Sequence, residues 1–353
     1  MSPPRRTIPL RFALIGSLVI WVVMLAPPVT LISWLADIST RQSLAISLLP
    51  AIPLFYGLWL IVQQAGSIWK WPAMQYLGLS AVLLPVVVFC SPLTLWFSKP
   101  AIGLVALLIW IALSIAGILA SIRIRIKALQ YKHPNIDQPV RIAQISDVHA
   151  GSRSPAFLRR VVKQVNSTSP DLVLITGDLV DSSAVDAQWL APLSDLAAPA
   201  YLSLGNHERY IDLEAAIDAV QTTGVKTLRN QSITHGCVQI IGIDDADNPD
   251  QVALQLPSIA VDESRYRILM YHKPDGWLAA CQAGIDLMLA GHTHGGQIWP
   301  FRHLVRMQFK HVVGHFSNAA GQSLYVSPGT GTWGPIMRLG TRCEMTVIEL
   351  TPA

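Results

Sequence analysis

Charge is scarce in this chain of 353 residues: acidic and basic residues make up 14%, against 51% for hydrophobic ones. The scarcity is uneven. Between Ala13 and Ala120 ionisable residues are few, whereas from Val140 onward the composition is that of an ordinary soluble protein. With a mean hydropathy of +0.41, the chain reads as two units, one of which meets lipid. The net charge of +4 is mild, and the basic residues stand beside apolar runs without interleaved aromatics. No nucleic acid is expected as a partner. Cysteine is scarce too. Of four, Cys90 lies in an apolar run, which leaves Cys237, Cys281 and Cys343. An odd number without paired spacing excludes a disulfide framework. No repeat or low-complexity segment stands out.

Long apolar runs are plentiful. They cover about residues 12–38, 44–62, 76–97 and 102–122, each long enough to cross a hydrocarbon core of roughly 30 Å as a helix. Four successive runs without the alternation of half-buried elements favour a bundle of about four transmembrane helices over residues 1–122. Pro27 and Pro28 interrupt the first run. A signal peptide beginning at Arg5 and Arg6 is the alternative there, but the run is long and shows no clear cleavage site. With four spans, Arg5, Arg6, Arg11, Lys70, Arg123, Arg125, Lys127 and Lys132 share one face, and Arg41 and Lys99 lie on the other. The imbalance places the C-terminal unit in the cytoplasm.

Residues 123–139 read as a basic, then polar linker, and residues 140–353 as a globular domain. "VRIAQISD", "DLVLITGD" and "AYLSLGNHE" are short apolar runs, each ending in a turn that carries a polar residue. Between them, "SPAFLRRVVKQVNS" and "AVDAQWLAPLSDL" have helical spacing, and a third helix is expected over residues 213–223, ending at Gly224. Further strand-like runs cover residues 239–243, 266–271, 285–289, 324–327 and 345–350. Strands alternating with helices, then strands with little helix between them, imply an α/β sandwich. In open α/β sheets, ligands bind where loops converge at the carboxyl ends of strands.

Five polar blocks stand at such ends: "SDVH" (Asp147, His149), "TGD" (Asp178), "GNHE" (Asn206, His207), "YH" (His272) and "GHTH" (His292, His294). Each has an ordinary alternative, as a cap, a turn or a hydrogen-bonded core histidine. Together they offer two carboxylates, an amide oxygen and five imidazoles. That mixture suits Mn, Fe, Zn or Ni better than Mg or Ca. The set exceeds the need of one tetrahedral ion, and Asp178 could bridge two.

The ordered set D-x-H, G-D, G-N-H-[DE], H and G-H-x-H resembles the calcineurin-like metallophosphoesterase superfamily. "GHTHGGQIWPF" and "GTGTWGPIMRLG" look more narrowly like its bacterial membrane-associated branch. The resemblance implies a four-layer α/β/β/α sandwich, two divalent metal ions, and a multi-pass bacterial plasma-membrane protein. It assigns Asp147, His149 and His294 to one ion, Asn206, His272 and His292 to the other, and Asp178 to both. His207 would stand beside the leaving-group oxygen, oriented by Glu208 or Asp147. The expected reaction is hydrolysis of a phosphodiester or pyrophosphate, with water held between two cations attacking phosphorus in line. The membrane anchor makes a lipid-linked or amphipathic phosphoester the expected substrate and membrane lipid a partner. A phosphatase on soluble monoesters or cyclic nucleotides is the enzymatic alternative, and a non-catalytic metal or phosphate sensor the other.

Three further expectations concern the end of the chain. "HLVRMQFKHVVGHF" reads as a partly buried strand with a solvated face, or as a basic and apolar rim facing lipid. His303, His311 and His315 are taken as structural; "GTGTWGP" reads as a tight loop packing close to the site, where glycines let backbone approach, and Trp333 in it as core in preference to a substrate platform. "QIWPF", after the last histidine pair, is where substrate is expected.

Overall fold

The computed structural model describes residues 10–63, 69–246 and 248–353; Arg5 and Arg6, part of the orientation expectation, lie outside them. The chain divides into two compact units, Met1–Ile118 and Leu119–Ala353. Ala13–Leu35, Lys70–Leu95 and Lys99–Ile122 are long and apolar enough to cross a membrane. Thr40–Ser47 and Ala51–Trp59 qualify only together, as a pair bent by 44°. Among the described residues the count is therefore three, or four if that pair is one span. Pro27 and Pro28 do not break the first helix. They fall in the first turn of Ala26–Leu35, and the turn before it, Trp21–Leu25, widens into a π-helix. The widened turn, in which Ala26 N–H reaches back to Trp21 O, accommodates the missing N–H groups of the two prolines within one continuous span. Leu31, Trp34, Leu83, Val86 and Ile102 form the apolar centre of this unit.

Among its described residues the second unit holds twelve strands. In chain order they are β1 (Ile124–His133), β2 (Val140–Ile145), β3 (Leu172–Thr176), β4 (Ala200–Ser203), β5 (Lys226–Thr227) and β6 (Gln231–His235). The rest are β7 (Val238–Gly242), β8 (Tyr266–Met270), β9 (Leu287–Ala290), β10 (Gly314–Ser317), β11 (Ser323–Val326) and β12 (Cys343–Pro352). They form two six-stranded sheets, ordered β1-β12-β2-β3-β4-β5 and β10-β11-β9-β8-β7-β6. Ile142, Leu172, Leu174 and Tyr201 of the first sheet meet Ile240, Ile268, Leu287 and Tyr325 of the second in a buried layer. The outer face of the first sheet is covered by the helix Pro155–Asn166, whose Phe157, Leu158, Val161, Val162 and Val165 recur at helical spacing. Ser154 caps that helix by accepting from the Phe157 amide at 3.3 Å. Val252, Leu256 and Ala280 cover the outer face of the second sheet. This is the expected α/β/β/α sandwich.

Two segments differ from expectation. Most of the supposed linker is β1, paired in parallel with β12 from Ile124↔Cys343 to His133↔Pro352. Its side chains are largely exposed because it is an edge strand, and that gives it the polar composition of a linker. The stretch before β10 contains a helix, Arg302–Gln308, in place of a strand. Local bonds close its turns, His303 N to Pro300 O at 3.0 Å and Val305 N to Phe301 O at 3.1 Å. Leu304 and Met307 on it are exposed.

Candidate metal centre

Each of the five blocks begins at or just beyond the carboxyl end of a strand. β2, β3 and β4 lie side by side and parallel in one sheet, as do β8 and β9 in the other. Parallel neighbours bring their carboxyl ends to the same edge, so the loops carrying Asp147, Asp178, Asn206, His272 and His292 share it.

There the side chains fall into groups whose ligand atoms lie within 4.8 Å of one another: Asp147, His149 and His294, and Asp178, His272 and His292. In the first group His294 Nε2 stands 3.0 Å from His149 Nε2 and 3.3 Å from Asp147 Oδ1. In the second, His272 Nε2 stands 3.0 Å from Asp178 Oδ2 and 3.3 Å from His292 Nδ1. Asp178 Oδ2 also lies 3.9 Å from His149 Nε2 and 3.9 Å from His207 Nε2. It therefore touches both groups. Its other oxygen accepts from the His207 amide at 2.9 Å. Asn206 is buried in the same turn, and its Oδ1 has no hydrogen-bond partner.

The backbone is strained where the candidate ligands sit. Asp147, His149, Asp178, His292 and His294 all have positive φ, between 50° and 69°. A left-handed conformation costs an L-residue roughly 1–2 kcal/mol, and such strain gathers at functional sites. Two glycines let the loops close in. A Cβ on Gly205 would strike Asp178 Oδ1, and one on Gly291 would strike Ser146 Oγ and Asp147 Oδ2.

Burial sets the charges, with the neighbours correcting it. Burial disfavours an imidazolium at His272, but Asp178 and Asp147 outweigh it and raise the pKa to about 10. Burial would likewise raise Asp178, yet His272, His207 and His149 hold it well below the usual carboxylate range. Burial lowers His207 to about 4, and burial with the charge of His272 lowers His292 to about 3. Without an ion, His272 is thus an imidazolium paired with the anionic Asp178, while burial keeps His207 and His292 neutral with free lone pairs; a divalent cation takes such donors and displaces the proton that Asp178 otherwise holds on His272. The orphaned Asn206 oxygen adds an acceptor with nothing of the protein's own to accept from. These residues fit two divalent ions.

Several residues near the site were not legible, or were misread. Glu208 does not orient His207. It is buried, and its carboxylate accepts from the amides of Gly205 (2.8 Å), Val180 (2.9 Å) and Asp178 (3.2 Å), which ties two ligand turns together. Burial and the charge of Asp178 push it up to about 7, against those amides. Asp181 Oδ2 stands 3.5 Å from His149 Nδ1. Arg338 is wholly buried and donates to the carbonyls of Gly331 (2.7 Å) and His294 (3.2 Å), with Nη2 3.2 Å from His294 Nδ1. Trp333 is no core residue; it is exposed, 5.8 Å from the His207 ring between centroids. The glycines around it imply the nearness to the site that is found; the exposure of the indole is the part that differs. His315 Nε2 lies 3.1 Å from Ser323 Oγ and His311 packs on Trp277 and Phe316, away from both groups.

Residues 140–296 match the family model for calcineurin-like phosphoesterases. A protein of Campylobacter jejuni described as an uncharacterized metallophosphoesterase is 35% identical over 254 residues, 68% of this chain and 68% of its own length. A transmembrane protein with metallophosphoesterase domain from Danio rerio is 31% identical over 245 residues, 63% of this chain and 55% of its own. The matched stretch thus spans about two thirds of the first relative and little over half of the second. Among solved structures, a phosphopantetheinyl hydrolase from Mycobacterium tuberculosis aligns with a TM-score of 0.36 at 13% identity, over 52% of this chain and 87% of that one.

Proposed function

The chain belongs to the calcineurin-like phosphoesterase family, and from that premise we propose a membrane-anchored phosphohydrolase with two metal ions, cleaving a phosphodiester or pyrophosphate bond. One observation carries the two-ion reading: Asp178 Oδ2 lies within 3.9 Å of His149 in one ligand group and 3.0 Å of His272 in the other. In this reading Asp147, His149 and His294 hold one ion, Asn206, His272 and His292 the second, and Asp178 both. The bound cations, drawn from Mn, Fe, Zn or Ni, supply a polarised water and neutralise charge on the phosphoryl oxygens.

The chain's own residues do the rest. His207 is held by its amide to Asp178 and keeps its ring beside both groups, where it serves the leaving-group oxygen as proton donor or charge stabiliser. Glu208 fixes the two turns from which Asp178 and Asn206 project. The exposed Leu304 and Met307 with Arg306 make an apolar and basic rim, which supports an amphipathic, lipid-linked substrate. With Thr40–Ser47 and Ala51–Trp59 counted as one span, giving four, Arg11, Lys70, Arg123 and Arg125 fall on one face, which supports a cytoplasmic second unit.

The test is hydrolysis by the full chain in detergent with manganese, comparing an aryl phosphodiester with an aryl phosphomonoester. Turnover of the diester above the monoester supports the reading. Bound metal without turnover of either substrate would favour a sensor and refute hydrolysis.

A further inference from the structure

His207 keeps 16% of its side chain exposed, and three rings pack against it. His149, at 4.7 Å between centroids, is buried. The other two, Tyr210 at 5.3 Å and Trp333 at 5.8 Å, are 66% and 55% exposed. An exposed tryptophan gains little from burial, so its place calls for another reason.

The loop that carries it is nevertheless firmly held. Trp333 N donates to Gln297 Oε1 at 3.0 Å, and Gln297 Nε2 donates back to the carbonyls of Trp333 (2.9 Å) and Pro335 (3.3 Å). Gln297 is itself fixed, since its carbonyl accepts from Leu339 N at 3.0 Å and Thr341 Oγ1 at 2.9 Å. It also adopts a left-handed φ of 47°. At the start of the same loop, Thr330 N donates to Ser146 O at 2.7 Å and Gly331 N to Asp147 O at 2.9 Å. The loop is thus tied to the first block and to the glutamine that follows the last one. Its backbone is thus fixed on both sides while the indole, set edge to face against His207, is left open to solvent, which is what a stacking surface requires.

We propose that Trp333, with Tyr210, is a platform for an aromatic ring in the leaving group of the substrate, and that Gln297 is the positioning residue that holds Trp333 beside His207. The assignment rests on the phosphohydrolase reading, because His207 marks the leaving-group side only in that reading. It narrows the substrate class to phosphoesters or phosphoanhydrides whose departing portion carries a planar ring.

The experiment uses the full chain in detergent, loaded with manganese, and reads binding as well as turnover. Binding is measured by calorimetry with phenylphosphonate and methylphosphonate. Turnover is measured with bis(para-nitrophenyl) phosphate and bis(trifluoroethyl) phosphate. Trp333→Ala is expected to weaken phenylphosphonate roughly tenfold, the scale of one lost ring stack, and to leave methylphosphonate within about twofold. The aryl diester should lose kcat/KM mainly through KM, and Trp333→Phe should keep most of the preference. Gln297→Ala should reproduce Trp333→Ala, and the double variant should be no worse, since both act through one ring. Gln297→Glu, which still accepts from Trp333 N, should fall between. Equal losses on ringed and ringless ligands, or additive losses in the double variant, would overturn the assignment. A wild-type chain that hydrolyses neither diester removes the phosphohydrolase reading. A phenyl preference that vanishes in Trp333→Ala would then still sustain a ring-binding surface, and its absence would end that too.

Discussion

Asn206→Leu separates a ligand from a structural amide by the sign of its effect. Asn206 is 6% exposed and its Oδ1 has no donor in reach. A buried acceptor left unpaired costs about 1–3 kcal/mol, whereas an apolar group of similar size in its place costs nothing of that kind. Leucine repeats the branched skeleton of the asparagine side chain, with methyl groups in place of the amide oxygen and nitrogen. With chelator present, the variant should therefore be more stable than wild type by about 1–2 kcal/mol. For a domain of this size that is a rise in melting temperature of roughly 2–8 °C. With manganese the order reverses. An ion at about 100 times its Kd stabilises the folded state by about 2.7 kcal/mol, and the variant forgoes that gain at one of two sites. Melting curves of the full chain in detergent, with EDTA and with manganese, read both signs, and elemental analysis should find one ion in place of two. Asn206→Leu melting below wild type under chelation, by a margin that manganese leaves unchanged, would show the amide to be structural.

Asp178→Asn should lose ions from both groups and leave hydrolysis at background, measured by metal content and aryl diester turnover; near wild-type activity would sink the shared-ligand reading. His207→Ala should retain both ions and lose turnover by about two to four orders of magnitude, whereas loss of metal would mean that its role is misassigned. Arg338→Met leaves the Gly331 carbonyl with only the Cys343 thiol at 3.4 Å as donor, and takes one of two donors from the carbonyls of Gly329 and His294. It should destabilise by about 1–3 kcal/mol in a melting or denaturant assay, the cost of under-satisfied buried carbonyls; no loss of stability would mean that the remaining donors suffice. Gly291→Ala forces a methyl group onto Ser146 and Asp147. It should cost about 1–3 kcal/mol by overpacking and empty the Asp147 group first, so unchanged metal content would contradict the close approach.

The sequence made the centre legible because donors follow directly on short, fully apolar strands. β3 is buried at every position and β9 likewise, so the polar residue after each is conspicuous. What stayed hidden depends on contacts far apart in the chain. β1 looks like a linker because an edge strand faces solvent, and its pairing with β12 joins Ile124 to Cys343. Arg338 looks like a surface charge; only the folded loops supply the carbonyls that let a guanidinium be buried. Trp333 looks like core by residue type, and its exposure follows from the grip of Gln297 on its backbone.

Spacing misleads even within the legible part. D-x-H and H-x-H place two donors at the same separation, yet Asp147 and His149 belong to one group while His292 and His294 belong to two. An extended strand end could produce neither arrangement reliably, because residues at i and i+2 lie along one face about 7 Å apart. The left-handed residues resolve this. Positive φ at Asp147 and His149 turns both side chains inward together; at His292 and His294, with Gly291 letting the loop approach Asp147, it sends them to different groups. His292 N is drawn to the Asp147 carboxylate at 3.0 Å, so the loop is held by the first group while its imidazole serves the second. The two groups are thus joined through backbone bonds as well as through Asp178. Strain at five donors persists because those bonds over-determine it, and a cation shared by the donors would be bound by a frame already in place.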